Sequence, residues 1–331
     1  MRNGWKERLG RRELLERALK AGAMLGFAGL ASYALYDRDG PQPGAAKRET
    51  MSLPDFSVSP VQGKTMCVAK GPDRLKSLQA AITALGGIER FVKPGETVVI
   101  KPNIAFASSP DLGATTHPDL VAGTVALCRA AGAARVVVVD NPINDPASCF
   151  YLSGIERAAR DAEAEIVVPG PDAFRTMSLA GGKLIRDWPV LLEPLRTAHR
   201  LIGIAPLKSH HRSGASMTMK NWYGLLGGRR NIFHQDIHAI IAELAMMVKP
   251  TLVVLDGITA MTANGPTGGS RADLKNMDTL IAGCDQVAVD AYGAGLLGMT
   301  LSDLPFIQMA EAAGAGSSDF RSLEPLYIEA V

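Results

Sequence analysis

Short apolar segments of high β propensity alternate with Ala- and Leu-rich segments along most of this chain. Arg135–Asp140 (RVVVVD) and Thr251–Asp256 (TLVVLD) are almost continuously apolar, as expected for strands that are buried on both faces. Pro118–Ala131 and Asp285–Leu297 are the clearest helical segments between such strands. This alternation predicts an α/β fold with a mostly parallel sheet flanked by helices, in two lobes with a cleft between them.

The other predicted elements continue the alternation. Strands are predicted at Thr65–Lys70, Thr97–Lys101, Glu165–Val168, Arg200–Ala205 and Thr279–Ala282. Helices are predicted at Leu75–Leu85, Ile155–Ala162, Met217–Leu225 and Ile237–Met247. Because ligands of such folds bind beyond the carboxyl ends of the strands, the polar loops at those ends are where chemistry is expected.

The composition excludes two classes of protein. Hydrophobic residues make up 47% and charged residues 21% of the 331 residues, which excludes a wholly disordered chain. The net charge is +2, but residues 1–36 hold seven Lys or Arg and only three Glu, so the rest of the chain is slightly acidic. Aromatic residues make up only 5%. Neither property is typical of a nucleic-acid-binding protein, and no nucleic-acid partner is expected.

The first 36 residues have the layout of an export signal. Arg11 and Arg12 precede Ala21–Tyr36, an uncharged Gly- and Ala-rich segment. The arginine pair resembles a twin-arginine signal, with Gly10 in place of the usual Ser or Thr. An uncleaved membrane tether through residues 18–36 is the alternative, although sixteen uncharged residues fall short of the roughly 20 that span a bilayer.

These features predict three segments and a location. Residues 1–36 are the signal or anchor, residues 37–60 are a Pro-, Gly- and Ser-rich linker, and residues 61–331 are the α/β domain. The twin-arginine translocase is the expected export partner. The domain is then expected in the periplasm or on the outer face of the cytoplasmic membrane.

Three polar loops at predicted strand ends contain the candidate site residues. They are Lys101, Asn103 and His117 in the first loop, Lys208, His210, Lys220, Asn221 and His234 in and beyond the second, and Asn264 and Gly265 in the third. Imidazoles clustered with lysines suit metal binding and proton transfer, and the lysines suit an anionic ligand such as a carboxylate or a phosphate. The Gly-rich segment 264–269 either cradles an anion through its N–H groups or forms a plain turn.

Lys220 has two alternative roles. It follows Met219 and precedes Trp222 and Tyr223, and a lysine among histidines and apolar side chains can have a lowered pKa and act as a nucleophile or base. Alternatively, it is a cation that pairs with a carboxylate or a phosphate.

Six segments closely resemble the domain-of-unknown-function family 362. They are VVIKPN (98–103), TTHPDLV (115–121), PLKSHH (206–211), MKNWYGLLGG (219–228), LDGITAMTANGPTGG (255–269) and DQVAVDAYGAGLLGM (285–299). The family name states no activity. Many relatives carry an added ferredoxin-like segment with clustered cysteines, whereas the four cysteines here form no C-x-x-C pair, so no iron–sulfur cluster is expected.

A more distant similarity, to the nickel-pincer lactate racemases, implies individual roles. Thr116-His117, His210, Lys220 and His234 match that group in order. The resemblance implies that His117 and His210 exchange a substrate proton, that Lys220 carries a nickel-pincer-like cofactor, and that His234 ligates the metal. The acidic cofactor-recognition turn of that group is replaced here by Lys101-Pro102-Asn103, which leaves the cofactor and the substrate open.

Two functions are compatible with the sequence. The first is an exported enzyme that acts on a small anionic organic molecule with a metal or a lysine-linked cofactor, in isomerase- or redox-type chemistry. The second is a non-catalytic periplasmic factor that binds a cofactor or metal or assists assembly. In the first, the catalytic residues are His117, His210 and Lys220, the metal ligands are His210 and His234, and the cofactor contacts are Lys101, Asn103, Lys208, Lys220, Asn221, Asn264 and Gly265.

Overall fold

A computed structural model describes residues 11–35, 52–59 and 61–330, which belong to two units, Met1–Glu49 and Thr50–Val331. In the first unit the described element is the helix α1 (Arg11–Leu35), where Arg17 and Glu13 form an ion pair of 2.6 Å one turn apart. Within the described residues, no helix has the length and apolar character needed to cross a bilayer. The predictions for residues 1–10 and 36, and most of the predicted linker, lie outside the described residues.

The second unit is built from alternating strands and helices, as predicted. Its described strands are β1 (Met66–Lys70), β2 (Thr97–Lys101), β3 (Arg135–Val139), β4 (Glu165–Val167), β5 (Phe174–Met177), β6 (Trp188–Leu191), β7 (Arg200–His210), β8 (Gly214–Ser216), β9 (Leu252–Met261), β10 (Leu274–Gly283) and β11 (Leu326–Glu329). Its described helices are α2 (Arg74–Ala84), α3 (Pro118–Ala130), α4 (Pro146–Leu152), α5 (Ile155–Asp161), α6 (Thr218–Asn221), α7 (Ile237–Met247), α8 (Gln286–Leu296) and α9 (Pro305–Ala312).

Nine of these strands form one mostly parallel sheet. The order is β11-β1-β10-β9-β7-β2-β3-β4, with β8 paired to the end of β7. The neighbours β9, β7, β2, β3 and β4 run parallel, whereas β10 is antiparallel to β9 and to β1, and β8 is antiparallel to β7. The predicted fold class is therefore confirmed. The unit is a single compact body, so the predicted pair of lobes is not confirmed.

Helices cover both faces of the sheet because the central strands send apolar side chains alternately to either side. In β2, Val98 and Ile100 belong to the core shared with α2, α3, α4 and α5. Val99 belongs to the opposite core, shared with α6, α7, α8 and α9. Lys101 follows Ile100 and therefore lies on the side of Val99, where its ammonium group meets α6.

Residues 52–59 pack on this unit, although the sequence analysis assigned them to the linker. Phe56 is only 1% exposed. Its N–H donates to the Lys249 carbonyl at 3.0 Å, and its carbonyl accepts from Thr251 Oγ1 at 2.7 Å. The buried Phe56 side chain and these two hydrogen bonds thus make residues 52–59 part of the packed unit, which begins before residue 61.

Strands β7, β9 and β10 are longer than predicted, β10 because it begins at Leu274 and not at Thr279, and the extension of β7 changes the local structure of one candidate. β7 continues past Pro206 to His210 because its last residues pair with β8, and β9 continues past Asp256 to Met261 alongside β10. His210 therefore lies on a strand and not in a loop.

Candidate functional site

A cavity of about 390 Å³ opens where β2, β3 and β7 approach α6. It is lined by every candidate site residue except His117. Its lining also includes residues that sequence reasoning did not select, among them Phe106, Asp140, Asn141, His211, Tyr223 and Arg230.

The structure does not bring His117 to this cavity. His117 is the N-cap of α3, where its Nδ1 accepts the N–H of Asp119 at 3.3 Å. It lines a different surface pocket together with Arg74 and Arg271. The shared site expected for the three histidines is therefore formed without His117.

The loop before α3 explains this separation. Thr116 is buried, and its Oγ1 accepts the N–H of Asn103 and donates to the Ile204 carbonyl, both at 2.8 Å. These bonds fix Asn103 in the cavity wall, whereas the next residue, His117, is committed to the start of the helix. Sequence order alone does not distinguish these two sides of the loop.

Lys101 is buried, and protein groups use all of its hydrogen-bonding capacity. Its Nζ lies 2.6 Å from Asp140 Oδ1 and donates to the Pro102 carbonyl at 2.7 Å and to Asn221 Oδ1 at 3.1 Å. Burial lowers the pKa of Lys101, and the Asp140 carboxylate opposes this shift. Because an ammonium group has three N–H donors, Lys101 is a partner of Asp140 and has no donor left for a ligand.

Asp140 is a site residue that sequence reasoning missed, although it closes the apolar strand segment RVVVVD. Its Oδ2 accepts the N–H of Ile104 at 2.6 Å, and its Oδ1 accepts the N–H of Asn141 at 2.9 Å. Gly224 packs directly on this group, since a Cβ there would overlap Asp140 Oδ1 and would lie 2.8 Å from Lys101 Nζ. An acidic residue at the carboxyl end of a buried strand is the signal that could have identified it.

Asn221 links α6 to the two neighbouring strands β2 and β7. Its Nδ2 donates to the carbonyls of Lys101 and Ile204 at 3.1 and 3.2 Å, and its Oδ1 accepts from Lys101 Nζ and from Asn103 Nδ2. The amide lines the cavity but is saturated by protein partners. The cofactor contact predicted for Asn221 is therefore replaced by a cross-link that holds the cavity wall.

Lys208 is a buried cation without a carboxylate partner among the described residues. Its Nζ donates to the Ala114 carbonyl, lies 3.5 Å from Asn103 Oδ1 and lies 5.2 Å from the centroid of the Phe106 ring. Burial, together with the nearby charge of Lys220, lowers the pKa of Lys208 to about 7. At least one of its N–H donors is left for a ligand.

Lys220 is the cation of the cavity with the fewest partners. Within residues 61–330 its Nζ has neither a hydrogen-bond acceptor nor a carboxylate, and its one described contact is the Tyr223 ring, 5.2 Å from Nζ to the centroid. Burial and the Arg230 guanidinium lower the pKa of Lys220 to about 8. Such an amine can pair with an anion when protonated and can act as a nucleophile when unprotonated.

Asp290 of α8 holds the short helix that carries Lys220. Its Oδ1 accepts the N–H and the hydroxyl of Thr218 at 2.9 and 2.5 Å, and its Oδ2 accepts the N–H of Met219 at 3.0 Å. The carboxylate is fully buried, and burial raises its pKa to about 7. Asp290 thus caps the first turn of α6 and fixes the direction in which Lys220 leaves the backbone.

His210 is held in one tautomer. Its Nδ1 accepts the N–H groups of Arg212 and Ser213 at 3.2 and 3.3 Å, so the neutral ring carries its proton on Nε2. Burial and the charge of Lys220 lower its pKa to about 2. His210 is therefore suited to donating a hydrogen bond through Nε2 and not to accepting a proton there, which differs from the proton-exchanging role predicted for it.

His234 is held in the opposite tautomer. The Tyr223 hydroxyl donates to the Arg230 carbonyl at 2.5 Å, so it can only accept from His234 Nδ1, 3.2 Å away. The Asn231 carbonyl, also 3.2 Å from Nδ1, is a second acceptor. The proton is therefore on Nδ1, and Nε2 keeps a lone pair. The rings of His234 and His210 are stacked with their centroids 6.2 Å apart.

The metal role predicted for His210 and His234 stays a prediction, and the two rings differ in how they could meet it. Nε2 of His234 can ligate a metal, whereas Nε2 of His210 must first lose its proton. Among the described residues, no group of three or more His, Cys, Asp or Glu side chains is arranged to hold a metal ion.

Asn264 and Gly265 close one side of the cavity. Asn264 Nδ2 donates to Asp273 Oδ1 at 2.6 Å, and the N–H of Gly265 donates to Ser209 Oγ at 3.2 Å. A side chain at Gly265 would overlap the Ser209 carbonyl. The N–H of Gly265 is therefore not free to cradle an anion, and this part of the Gly-rich segment forms a wall.

The cavity lining has an excess of positive charge. The guanidinium of Arg230 donates to four carbonyls and so is fixed in the wall as a charge. Among the described lining residues, the one carboxylate is Asp140 and the cations are Lys101, Lys208, Lys220 and Arg230. Since Asp140 neutralises Lys101, three basic side chains remain without a carboxylate, which favours an anionic ligand.

Comparison with known proteins gives a family and one relative. Residues 98–295 match the family described as "Domain of unknown function (DUF362)", and this range includes every residue that lines the cavity. The chain is also similar to a thylakoid-associated protein of Synechocystis sp., with 26% identity over 253 residues that cover 72% of this chain and 75% of that protein. No solved structure matches the chain.

Proposed function

The chain belongs to the DUF362 family, whose description names no activity, and from this premise we propose that it is an enzyme that binds a small organic anion in the cavity and carries out isomerase-type proton transfer on it. The observation that carries the proposal is the Lys220 ammonium, which lacks an acceptor among the described residues and lies in a cavity with excess positive charge. A ligand carboxylate or phosphate supplies the missing acceptor.

The two histidines support proton transfer as the chemistry. Nε2 of His234 has the lone pair that accepts a proton, and the Nε2 proton of His210 can bond to a substrate oxygen that gains charge. Lys208 and Lys220 then bind the anionic group, while Lys101 and Arg230 position the wall.

A lysine-linked, nickel-pincer-like cofactor is the alternative use of Lys220, since a lysine that carries a covalent link no longer pairs with the anion. The residues fit it in two respects, since the Lys220 amine is free to carry a covalent link and His234 can ligate a metal through Nε2. They do not fit in a third respect, because His117 lines a different pocket. When bound, such a group would supply hydride chemistry that side chains cannot.

Calorimetric titration with malonate and with inorganic phosphate tests the binding proposal. Lys220→Met removes the unpaired ammonium and should weaken binding of at least one anion by about tenfold or more, the usual effect of losing a charge-assisted hydrogen bond. Lys76→Met removes an exposed charge on α2 and serves as the matched control, with affinity unchanged. Equal affinity of the Lys220→Met variant and the control for both anions would contradict the proposal.

We further propose that the twin-arginine translocase exports the chain, which places the domain in the periplasm or on the outer face of the cytoplasmic membrane. The support is the exposed pair Arg11 and Arg12 ahead of the apolar segment. Replacing both by Lys keeps the charge but removes the guanidinium groups, and the precursor should then remain in the cytoplasm. Normal export of this double variant in a fractionation experiment argues against the route.

A further inference from the structure

We infer that Lys220 forms an imine with the carbonyl group of its ligand, so that the ligand class of the cavity is 2-oxo acids. The inference rests on the proposed function, because the carboxylate of such a ligand is the anion that the cavity binds. It adds a covalent step and a chemical class of substrate, neither of which follows from anion binding alone.

The Lys220 amine is available for attack, unlike the other two lysines of the cavity. Lys101 donates to three protein acceptors, one of them the carboxylate of Asp140. Lys208 donates to the Ala114 carbonyl. Lys220 contacts only the face of the Tyr223 ring among the described residues, so no hydrogen bond must break before its lone pair can react.

The surroundings of Lys220 favour its uncharged form. It is partly buried close to the Arg230 guanidinium, which four carbonyls hold in the cavity wall. A neighbouring cation together with removal from water is the combination that activates lysine nucleophiles. With a pKa of about 8, roughly one Lys220 in ten is a free amine at pH 7.

Imine formation needs no reactant other than the Lys220 amine and the carbonyl group of the ligand. The amine nitrogen attacks the carbonyl carbon, a C–N bond forms, and one proton passes from the nitrogen to the carbonyl oxygen to give a carbinolamine. The C–O bond then breaks, the oxygen leaves as water with a second proton, and the nitrogen loses its last transferable proton as the C=N bond forms. No electrons are exchanged with a third component.

Each proton and charge in this sequence has a named partner. Nε2 of His234 accepts the proton from nitrogen, and the Nε2 proton of His210 bonds to the carbonyl oxygen. Lys220 Nζ and the His234 ring both lie against the Tyr223 ring, and the His234 ring is stacked on that of His210. Lys208, which lacks a carboxylate partner among the described residues, pairs with the carboxylate of the ligand.

Reductive trapping of the full chain tests the inference. The protein is incubated with pyruvate and sodium cyanoborohydride near pH 7.5, and adducts are located by intact mass and peptide mapping. Lys220 should be labelled at least about tenfold faster than exposed lysines such as Lys76, and Lys220→Arg should lose this fast label, since its guanidinium is not a nucleophile. Acetone, which lacks the carboxylate, should label Lys220 at least about tenfold more slowly than pyruvate.

Two variants check the assigned partners. His210→Gln and His234→Gln should each slow the trapping by at least about tenfold if the rings supply the hydrogen bond and the base. Labelling of Lys220 at the rate of exposed lysines, or equally fast by acetone, overturns the inference. If this happens while malonate or phosphate binding still depends on Lys220, the imine is wrong and the proposed function stands. If Lys220 is not labelled rapidly and anion binding does not depend on it either, the proposed function fails as well.

Discussion

Lys101 and Lys220 illustrate at the residue scale what a sequence can and cannot give. Both are predicted to contact a cofactor, Lys101 from its position at the end of a predicted strand and Lys220 from the resemblance to the nickel-pincer lactate racemases. The structure gives Lys101 a buried carboxylate partner, Asp140, and gives Lys220 no described acceptor. A sequence shows that a charge is present, but the pairing of Lys101 with Asp140 depends on the register between β2 and β3, which becomes known only with the fold.

Because their partners differ, replacing Lys101 and replacing Lys220 should lower the free energy of unfolding by different amounts. Lys101→Met leaves Asp140 as a buried, unpaired carboxylate and should lower the free energy of unfolding by about 3–5 kcal/mol. Lys220→Met breaks no described hydrogen bond and should change it by less than about 1 kcal/mol. Urea unfolding of both variants measures the change. Equal losses of unfolding free energy would show that the ion pair of Lys101 with Asp140 does not make Lys101 more important for stability than Lys220.

At the scale of elements, α6 depends on a helix distant in the sequence. Asp290 of α8 caps α6, and Gln286, one turn earlier, accepts the Trp222 indole N–H at 2.6 Å. The sequence analysis predicted helical structure in both segments but not their contact, since helical periodicity contains no information on partners. The half-exposed strands β5 and β11 were missed for a related reason, because they lack the continuous apolar runs of β3 and β9.

Asp290→Ala tests whether α8 positions Lys220. The substitution leaves the N–H groups of Thr218 and Met219 buried without an acceptor, and stability should fall by about 2–4 kcal/mol. Under conditions where the variant is still folded, malonate binding should weaken, whereas in Asp290→Asn one oxygen remains as an acceptor and binding should be largely retained. Unchanged malonate affinity in the folded Ala variant would mean that α6 needs no cap to place Lys220.

At the scale of the whole molecule, the site combines strand ends and loops that are far apart in sequence. The rule that ligands bind at the carboxyl ends of parallel strands selected ten candidates, and all of them except His117 line the cavity. It failed for His117, because the helix α3 begins there and takes its ring as a cap. It could not supply tautomers, which depend on partners such as the Ser213 N–H and the Tyr223 hydroxyl.

Opposite pH dependences of stability and binding follow from the lowered lysine pKa values. Lys208 and Lys220 have pKa values of about 7 and 8 in the folded protein, against 10.5 for an ordinary lysine. Folding therefore releases protons between pH 7 and 10.5, and these two residues make the ligand-free protein more stable as the pH rises through this range, by at most about 1.4 kcal/mol per pH unit for each residue.

Malonate binding should show the reverse dependence, because a dianion prefers both lysines protonated. Its affinity should fall as the pH rises from 6 to 9, and binding at pH 8 should be accompanied by proton uptake, measurable by calorimetry in buffers of different ionisation enthalpy. In Lys220→Met the proton uptake should decrease. An affinity that is constant across this range would mean that neither lysine contacts the anion.

The most direct test of the central claim is a crystal structure of the protein with bound malonate. The account predicts a carboxylate of the anion within about 3 Å of Lys220 Nζ, with a second contact from His210 Nε2 or Lys208 Nζ. Malonate bound instead in the pocket of His117, Arg74 and Arg271, with Lys220 making no contact to it, would contradict the account.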